Sequence, residues 1–232
     1  AFEIDINICP RLIRSIDCVV NVSQEFAESC GISTSTKVFG GAADNAAGAI
    51  GSGVIKPGTA SSSIGTSGVL LKYEETADVP YKGLVQVEDH SVPDANYSMG
   101  VVMSAGYSFS WFRDLFFEGC DFGELTKLAE ESPVGANGLI FTSYILGERA
   151  PHADSNIRGS FIGVDAMHTR ADFARAVMEG ITYGFRDLMN VYLENGQSFD
   201  KIIAIGGGAK SELWKQMQAD IYNRTVVSMK NE

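Results

Sequence analysis

A lone aspartate, Asp44, stands in a stretch of glycines and alanines, GGAADNAAG over residues 40–48. Small neighbours leave its carboxylate open to a cleft, where it could take a proton from a substrate hydroxyl as a general base. The same residues also fit a short helix that starts on polar side chains, and Asp or Asn at a helix start is a common N-cap. Spacing alone favours the N-cap, and a catalytic Asp44 is the alternative.

Two further glycine clusters could bind a phosphorylated ligand. Residues 65–68, GTSG, form a turn whose amides and hydroxyls make a small anion-binding nest, or only a tight hairpin turn. Residues 206–211, GGGAKS, lie between an apolar run and a helix, so a ligand could rest on backbone near the helix N-terminus. A tight turn is the equal alternative there, because the glycine spacing fits neither a P-loop nor a dinucleotide fingerprint.

Alternating strand and helix patterns would position these clusters. Apolar runs, turn residues and helical periodicity predict the following elements. The strands are 36–41, a hairpin over 59–73, 97–104, 139–144, 159–164 and 201–205, and the helices are 44–50, 173–192 and 211–222. Glycines at the carboxyl ends of strands are where open α/β sheets place ligands, so a mixed α/β fold with a site at that edge is expected.

Composition narrows the function classes. With 18 Lys+Arg against 29 Asp+Glu the net charge is −11, which argues against sequence-independent binding of nucleic acid. No apolar run approaches the roughly 20 residues of a membrane-spanning helix, and no leader pattern is visible. The four cysteines and three histidines show no metal-ligand spacing, which favours a reducing cytoplasm and structural histidines. The loop GERAPHADSNIRG could be functional.

Five segments together resemble, in order, the FGGY family of carbohydrate kinases. They are GGAADNAAGAIGSGVIKPG, SIGTSG, ILGERAPHADSNIRG, HTRADFARAVMEGITYGFRD and IGGGAKSELWKQMQADI. The resemblance implies ATP-dependent phosphorylation of a sugar hydroxyl with Mg²⁺, and its DNAAG and GERAPH segments favour D-xylulose as the sugar. Another pentulose or gluconate is the alternative substrate. A different class of protein, a non-catalytic regulator that binds sugar or nucleotide, is the third reading.

The resemblance also implies an α/β fold of the actin-like ATPase or ribonuclease H-like type, a mixed sheet flanked by helices. Residues 1–52 would be the end of a first, sugar-binding domain, and residues 53–232 would be a second, ATP-binding domain truncated at its C-terminus. Ala1 and Glu232 are then not natural ends, and the isolated chain is expected to be inactive. The expected partners are sugar and ATP, without nucleic acid or membrane. The oligomeric state is left open, with a homodimer as one alternative.

The resemblance assigns roles to particular residues. Asp44 is the implied general base, and Asn45 would lie beside the sugar. The remaining implied contacts are all with ATP: Gly65, Thr66 and Ser67 with the phosphates, Gly207, Gly208, Ala209 and Glu212 with the adenosine, and Trp111 with the base. No residue is assigned to a metal.

Overall fold

The computed structural model describes residues 6–230, so Ala1 and Glu232 lie outside the described residues. In chain order, the strands are β1 Cys18–Asn21, β2 Lys37–Phe39, β3 Thr59–Ile64, β4 Gly68–Glu74, β5 Gln86–Asp89, β6 Asn96–Val102, β7 Ile140–Thr142, β8 Ser160–Ile162, β9 Lys201–Gly206 and β10 Thr225–Ser228. The α-helices are α1 Gln24–Cys30, α2 Asp44–Ser52, α3 Gly106–Phe116, α4 Phe122–Glu130, α5 Arg170–Glu194 and α6 Glu212–Tyr222.

A six-stranded mixed sheet forms the centre, in the order β10-β9-β3-β4-β6-β5. Strands β10, β9 and β3 run parallel, and β3, β4, β6 and β5 pair antiparallel. In the parallel ladder Ile64 is opposite Gly206. The turn after β3 and the glycines after β9 therefore lie side by side at one edge of the sheet.

The two faces of the sheet carry different helices. Helices α3, α4, α5 and α6 cover one face, where the large core includes Leu70, Phe185 and Ile202. Helix α2 lies on the other face, where Ala46 and Ala49 pack with side chains of β4, β6 and β9. Alanines suit this contact because their short side chains let a helix lie close to a sheet.

The long helix α5 is the central support of the covered face. Its N-terminus has a capping box, in which Asp172 accepts hydrogen bonds from the Thr169 backbone N–H at 2.7 Å and the Thr169 hydroxyl at 2.8 Å. Gly180 packs against β7 so closely that a Cβ there would lie 2.2 Å from the Phe141 carbonyl oxygen. The apolar stripe predicted over 173–192 is the buried face of this helix.

The predicted strands and helices all appear, with ends shifted by a few residues. The hairpin over 59–73 is β3 and β4, and Ser211 caps α6 by accepting the Trp214 N–H at 3.1 Å. The list of predicted elements lacks α1, α3, α4, β1, β5 and β10. The division of the chain near residue 52 stays a prediction, although α2 ends there and the chain turns at Gly53.

Candidate functional site

A cleft of about 810 Å³ opens where β3 and β9 end. Its walls come from the turns after these two strands, the first half of α3, one face of α4 and the start of α6. The lining residues are Ile64, Gly65, Thr66, Gly106, Tyr107, Phe109, Ser110, Phe122, Gly123, Thr126, Lys127, Glu130, Gly207, Gly208, Lys210, Ser211, Glu212 and Trp214. The structure thus brings Gly65, Thr66, Gly207, Gly208 and Glu212 into one cleft, as the two glycine clusters suggested.

The turn between β3 and β4 forms the first backbone wall. Gly65 and Thr66 line the cleft, and the Ser67 carbonyl closes the turn by accepting the Gly65 N–H at 3.0 Å. The start of α3 holds this turn, because the Gly106 N–H donates to the Gly65 carbonyl at 2.8 Å and the Tyr107 N–H to the Thr66 carbonyl at 3.0 Å. The start of α3 therefore fixes the turn and lines the cleft beside it.

The segment after β9 forms the second backbone wall. Gly206 has φ +77°, a conformation that favours glycine, and residues 207–210 then make a short 3-10 turn. A Cβ on Gly208 would lie 2.7 Å from the Ile64 side chain, so only glycine packs there without a shift. Gly207 and Gly208 line the cleft, whereas Ala209 is buried behind them.

Aromatic side chains form the apolar part of the cleft. Trp214 is only 5% exposed, its ring meets Phe109 edge-on at 5.2 Å, and its indole N–H donates to the Thr182 hydroxyl at 3.0 Å. Phe109 also stacks on Phe122 at 5.7 Å. Glu212 lies at the rim, where its carboxylate pairs with Lys215 at 2.6 Å. Trp214 is therefore both a core residue and part of the cleft wall.

Trp111 is not brought to this cleft. Its ring lies nearly parallel to Phe141 at 6.4 Å and lines a separate, smaller recess between α3 and the β7–β8 region. Trp111 lies farther along α3 than Tyr107 and Ser110, which line the cleft, and its ring contacts Phe141 of β7. The base contact implied for Trp111 gains no support, whereas Tyr107, one turn earlier, lines the cleft.

Asp44 and Asn45 also lie outside the cleft-lining set. Asp44 is the first residue of α2 and is exposed, with the N-cap position taken by Ala43. Its Oδ1 accepts the N–H of Asn45 at 2.8 Å. The expectation that Asp44 is itself the N-cap is therefore wrong by one residue, and the carboxylate stands at the open N-terminus of a helix whose dipole favours the anion.

The histidines have structural partners. His90 is buried, with Nε2 2.9 Å from the Val54 carbonyl and Nδ1 accepting the Val92 N–H at 2.9 Å. His152, in the GERAPH loop, lies 2.8 Å from the Asp187 carboxylate and 3.1 Å from the Tyr144 hydroxyl. Across residues 6–230, no three His, Cys, Asp or Glu side chains converge to hold a metal ion. Nor does any helix in that range have the length and apolarity needed to cross a membrane.

Comparison with known proteins agrees with this architecture. Residues 60–232 match the model for the FGGY family of carbohydrate kinases, C-terminal domain. The structure superposes on a xyloylose kinase from Brucella ovis with TM-score 0.89 at 30% identity, covering 96% of this chain and 46% of that one. It superposes on a gluconate kinase from Lactobacillus acidophilus with TM-score 0.86 at 30% identity, covering 96% and 45%. A mixed sheet flanked by helices in this arrangement is the actin-like ATPase fold.

The chain belongs to the FGGY family of carbohydrate kinases. It is 47% identical over 229 residues to the xylulose kinase of Bacillus subtilis, covering 99% of this chain and 46% of that protein. It is 32% identical over 232 residues to the gluconokinase of the same species, covering 94% of this chain and 44% of that protein. The chain thus spans about half the length of the curated relatives that it matches.

Proposed function

We propose that the protein transfers the γ-phosphoryl group of ATP to a hydroxyl of D-xylulose, giving D-xylulose 5-phosphate. The observation that carries the proposal is the cleft walled by backbone at Gly65–Thr66 and Gly207–Gly208, where two adjacent parallel strands end. Open α/β sheets bind ligands at such an edge. The xylulose kinases of Bacillus subtilis and Staphylococcus epidermidis, at 47% and 48% identity, support the choice of sugar.

The cleft has the size expected of a site for a nucleoside triphosphate. Its volume of about 810 Å³ lies within the range of roughly 300–1,000 Å³ that small-molecule sites occupy. The phosphates would rest on the Gly65–Ser67 turn, where Gly65 has no side chain to keep the ligand from the backbone. The adenosine would lie against Gly207 and Gly208, with Ala209 behind them and Glu212 at the rim. Mg²⁺ would arrive as part of MgATP, since Mg²⁺ is commonly held by substrate phosphates with few protein ligands.

Asp44 is the general base in this proposal, and Asn45 lies beside the sugar. The sugar oxygen forms a bond to the γ-phosphorus, the bond from that phosphorus to the bridging oxygen breaks, and ADP leaves. The hydroxyl proton passes to the Asp44 carboxylate. Asp44 is on α2, which lies on the face of the sheet opposite to the cleft helices. The Gly65–Ser67 turn joins β3 and β4, so the base and the phosphate contacts come from different elements. Closure around both substrates would exclude the water that otherwise hydrolyses ATP.

Replacing Asp44 tests the proposed base. In the complete gene product, Asp44→Asn should lower kcat for sugar phosphorylation by about 10²–10⁴-fold, since the amide cannot take the proton. The dissociation constant for MgATP should stay within about twofold, because Asp44 does not line the cleft. Exposed Asp78→Asn is the matched control and should leave both unchanged. Turnover at the wild-type rate in Asp44→Asn would rule out the general-base role.

A gluconate kinase is the second candidate. The gluconokinase of Bacillus subtilis and the gluconate kinase structure from Lactobacillus acidophilus both resemble this chain. ADP release should be measured with D-xylulose, a second pentulose, gluconate and glycerol at equal concentrations. The highest kcat/KM is expected for D-xylulose, and a higher value for gluconate would favour the second candidate. ATP binding without turnover of any sugar would instead identify a non-catalytic regulator.

The cellular setting and assembly are also proposals. We expect a cytoplasmic enzyme, because its proposed substrates are two small metabolites, ATP and a sugar. The cysteines of the described chain are also unpaired, as is usual in a reducing compartment. A homodimer is the assembly to test by size-exclusion chromatography with light scattering.

A further inference from the structure

A buried glutamate in the GERAPH loop, Glu148, lies outside the cleft and has no part in the proposed chemistry. It is 4% exposed. Its Oε1 accepts two backbone hydrogen bonds, from the Met103 N–H at 2.9 Å and from the Arg149 N–H at 2.7 Å. Met103 directly follows β6, so this carboxylate joins the GERAPH loop to the segment that leads into α3.

Burial of this carboxylate is costly. Its second oxygen, Oε2, has no hydrogen-bond partner among residues 6–230. Burial raises the pKa of Glu148, while the two backbone N–H groups act in the opposite direction. An unpartnered polar atom inside a protein lowers stability. What the side chain provides in return is a single acceptor oxygen placed between two chain segments.

The loop that carries Glu148 is itself tied down. The Glu148 backbone N–H donates to the Asp154 carbonyl at 2.8 Å, and the Asp154 N–H donates to the Glu148 carbonyl at 2.9 Å. Gly147, with φ +77°, lies so close to Ser155 that a Cβ would be 2.8 Å from the Ser155 carbonyl oxygen. Glu148 therefore projects from a fixed base.

The segment held by Glu148 leads directly to the start of α3, which contacts the Gly65–Thr66 turn. After Met103, the Ser104 carbonyl accepts the Ser108 hydroxyl at 2.8 Å, which fixes the entry into α3. The next residues, Gly106 and Tyr107, donate their N–H groups to the carbonyls of the Gly65–Thr66 turn. The backbone of residues 103–107 thus links the Glu148 carboxylate to the turn, with a hydrogen bond to Glu148 at one end and two hydrogen bonds to the turn at the other.

We infer that Glu148 is a positioning residue for ATP: by holding Met103 it sets the start of α3 and, through it, the Gly65–Thr66 turn that would carry the phosphates. The inference rests on the proposed nucleotide site. It requires an acceptor oxygen at this position and no negative charge. Loss of that oxygen should disturb contacts with the phosphates more than contacts with the adenosine, which would lie on the other wall, at Gly207–Gly208.

Two substitutions separate the acceptor from the charge. Glu148→Gln keeps one acceptor oxygen, and Glu148→Leu removes it at similar size. In the complete gene product, calorimetric titration with MgATP and with adenosine gives two dissociation constants. Glu148→Leu should weaken MgATP binding about tenfold, equivalent to about 1.4 kcal/mol, and leave adenosine binding within about twofold. Glu148→Gln should stay within about threefold for both ligands. Glu75→Leu, at an exposed glutamate, is the matched control and should change neither.

Three results would overturn the inference. These are unchanged MgATP binding in Glu148→Leu, equal weakening of MgATP and adenosine, and a Glu148→Gln variant as weak as Glu148→Leu. If Glu148→Leu shows no cooperative melting transition, Glu148→Asp takes its place. Its carboxylate is one methylene shorter, so MgATP binding should again weaken selectively, and unchanged binding would overturn the inference. A wild-type protein that binds MgATP but phosphorylates no sugar would refute the proposed function and leave this test intact.

Discussion

At the scale of single residues, the cleft depends on glycines that allow two backbones to touch. Gly106 is the clearest case, because a Cβ there would lie 2.4 Å from the Gly65 carbonyl oxygen. Gly68 is similar, since a Cβ would lie 2.4 Å from the Phe185 ring. Such contacts cannot be read from local sequence, because the partners are far apart along the chain.

Gly106→Ala should damage nucleotide use specifically. The added methyl meets backbone and not a flexible side chain, so the turn must move, at a cost of about 1–3 kcal/mol. The KM for MgATP in the complete gene product should rise by about ten- to a hundredfold, with a smaller change in the KM for sugar. Gly51→Ala is the control, because a Cβ at Gly51 meets nothing within 4 Å. A KM for MgATP equal to that of the wild type would show that the turn tolerates displacement.

The sequence predicted part of the site for physical reasons. Turn chemistry and strand ends indicated Gly65–Thr66 and Gly207–Gly208, and both line the cleft. The resemblance assigned Trp111 a contact with the base from its position in the sequence. The direction of its side chain, however, depends on how α3 is rotated against β7. Glu148 was visible only as part of a polar loop, because its buried partner at residue 103 is 45 positions away.

At the scale of elements, α5 begins at an unusually well-bonded carboxylate. Burial alone would raise the pKa of Asp172, but hydrogen bonds from Ser132, Thr169 and Asn137 outweigh it and lower the pKa to about 2. A carboxylate with a lowered pKa stabilises the fold above its unfolded pKa, near 3.8. That contribution is lost as the pH falls toward 2.

Asp172→Asn should therefore destabilise the protein in a pH-dependent way. The amide nitrogen cannot accept the Thr169 hydrogen bonds, so the free energy of unfolding should fall by about 1–3 kcal/mol at pH 7. The difference from the wild type should be smaller at pH 3 than at pH 6. Urea unfolding at both values measures it, with exposed Asp200→Asn as control. A difference that is the same at both pH values would show that the charge of Asp172 is not responsible.

Long or strongly patterned elements were predictable, and short ones were not. Helix α5 has 25 residues with a continuous buried stripe, and the β3–β4 hairpin has a glycine-rich turn between two strands. Strands β5 and β10 have four residues each and are only partly buried, so their sequences carry no clear alternation. Helix α4 starts at a capping box, Asp121 with Glu124, which a search for that motif would have found.

At the scale of the whole molecule, the cleft at the ends of β3 and β9 lies apart from a group of exposed apolar side chains. Large exposed apolar side chains cluster in the N-terminal part, among them Leu12, Val20 and Phe39. Where such side chains form a contiguous surface, they mark an interaction face, so this part of the chain is a candidate for one. Asp44 follows this region directly and does not line the proposed nucleotide cleft.

These features divide the proposed activity into two measurable halves. The proposed nucleotide cleft has both of its backbone walls and its aromatic wall within this chain, so the 232-residue chain should bind MgATP with an affinity within about tenfold of the complete gene product. In the proposed reaction, sugar phosphorylation also needs the surface around Asp44, and this chain spans about half the length of its curated relatives. The chain alone should therefore release no ADP above background with D-xylulose.

Calorimetry and a coupled ADP assay on the same preparation test both halves. The Gly106→Ala variant of the chain serves as the control for specific nucleotide binding, because it should weaken MgATP binding without affecting the apolar N-terminal surface. Rapid turnover of D-xylulose by the chain alone would show that the sugar site is also complete within it. Failure of the folded chain to bind MgATP would show that the cleft needs a further segment to form. Binding without turnover is the expected result, because phosphoryl transfer depends on positioning both substrates together.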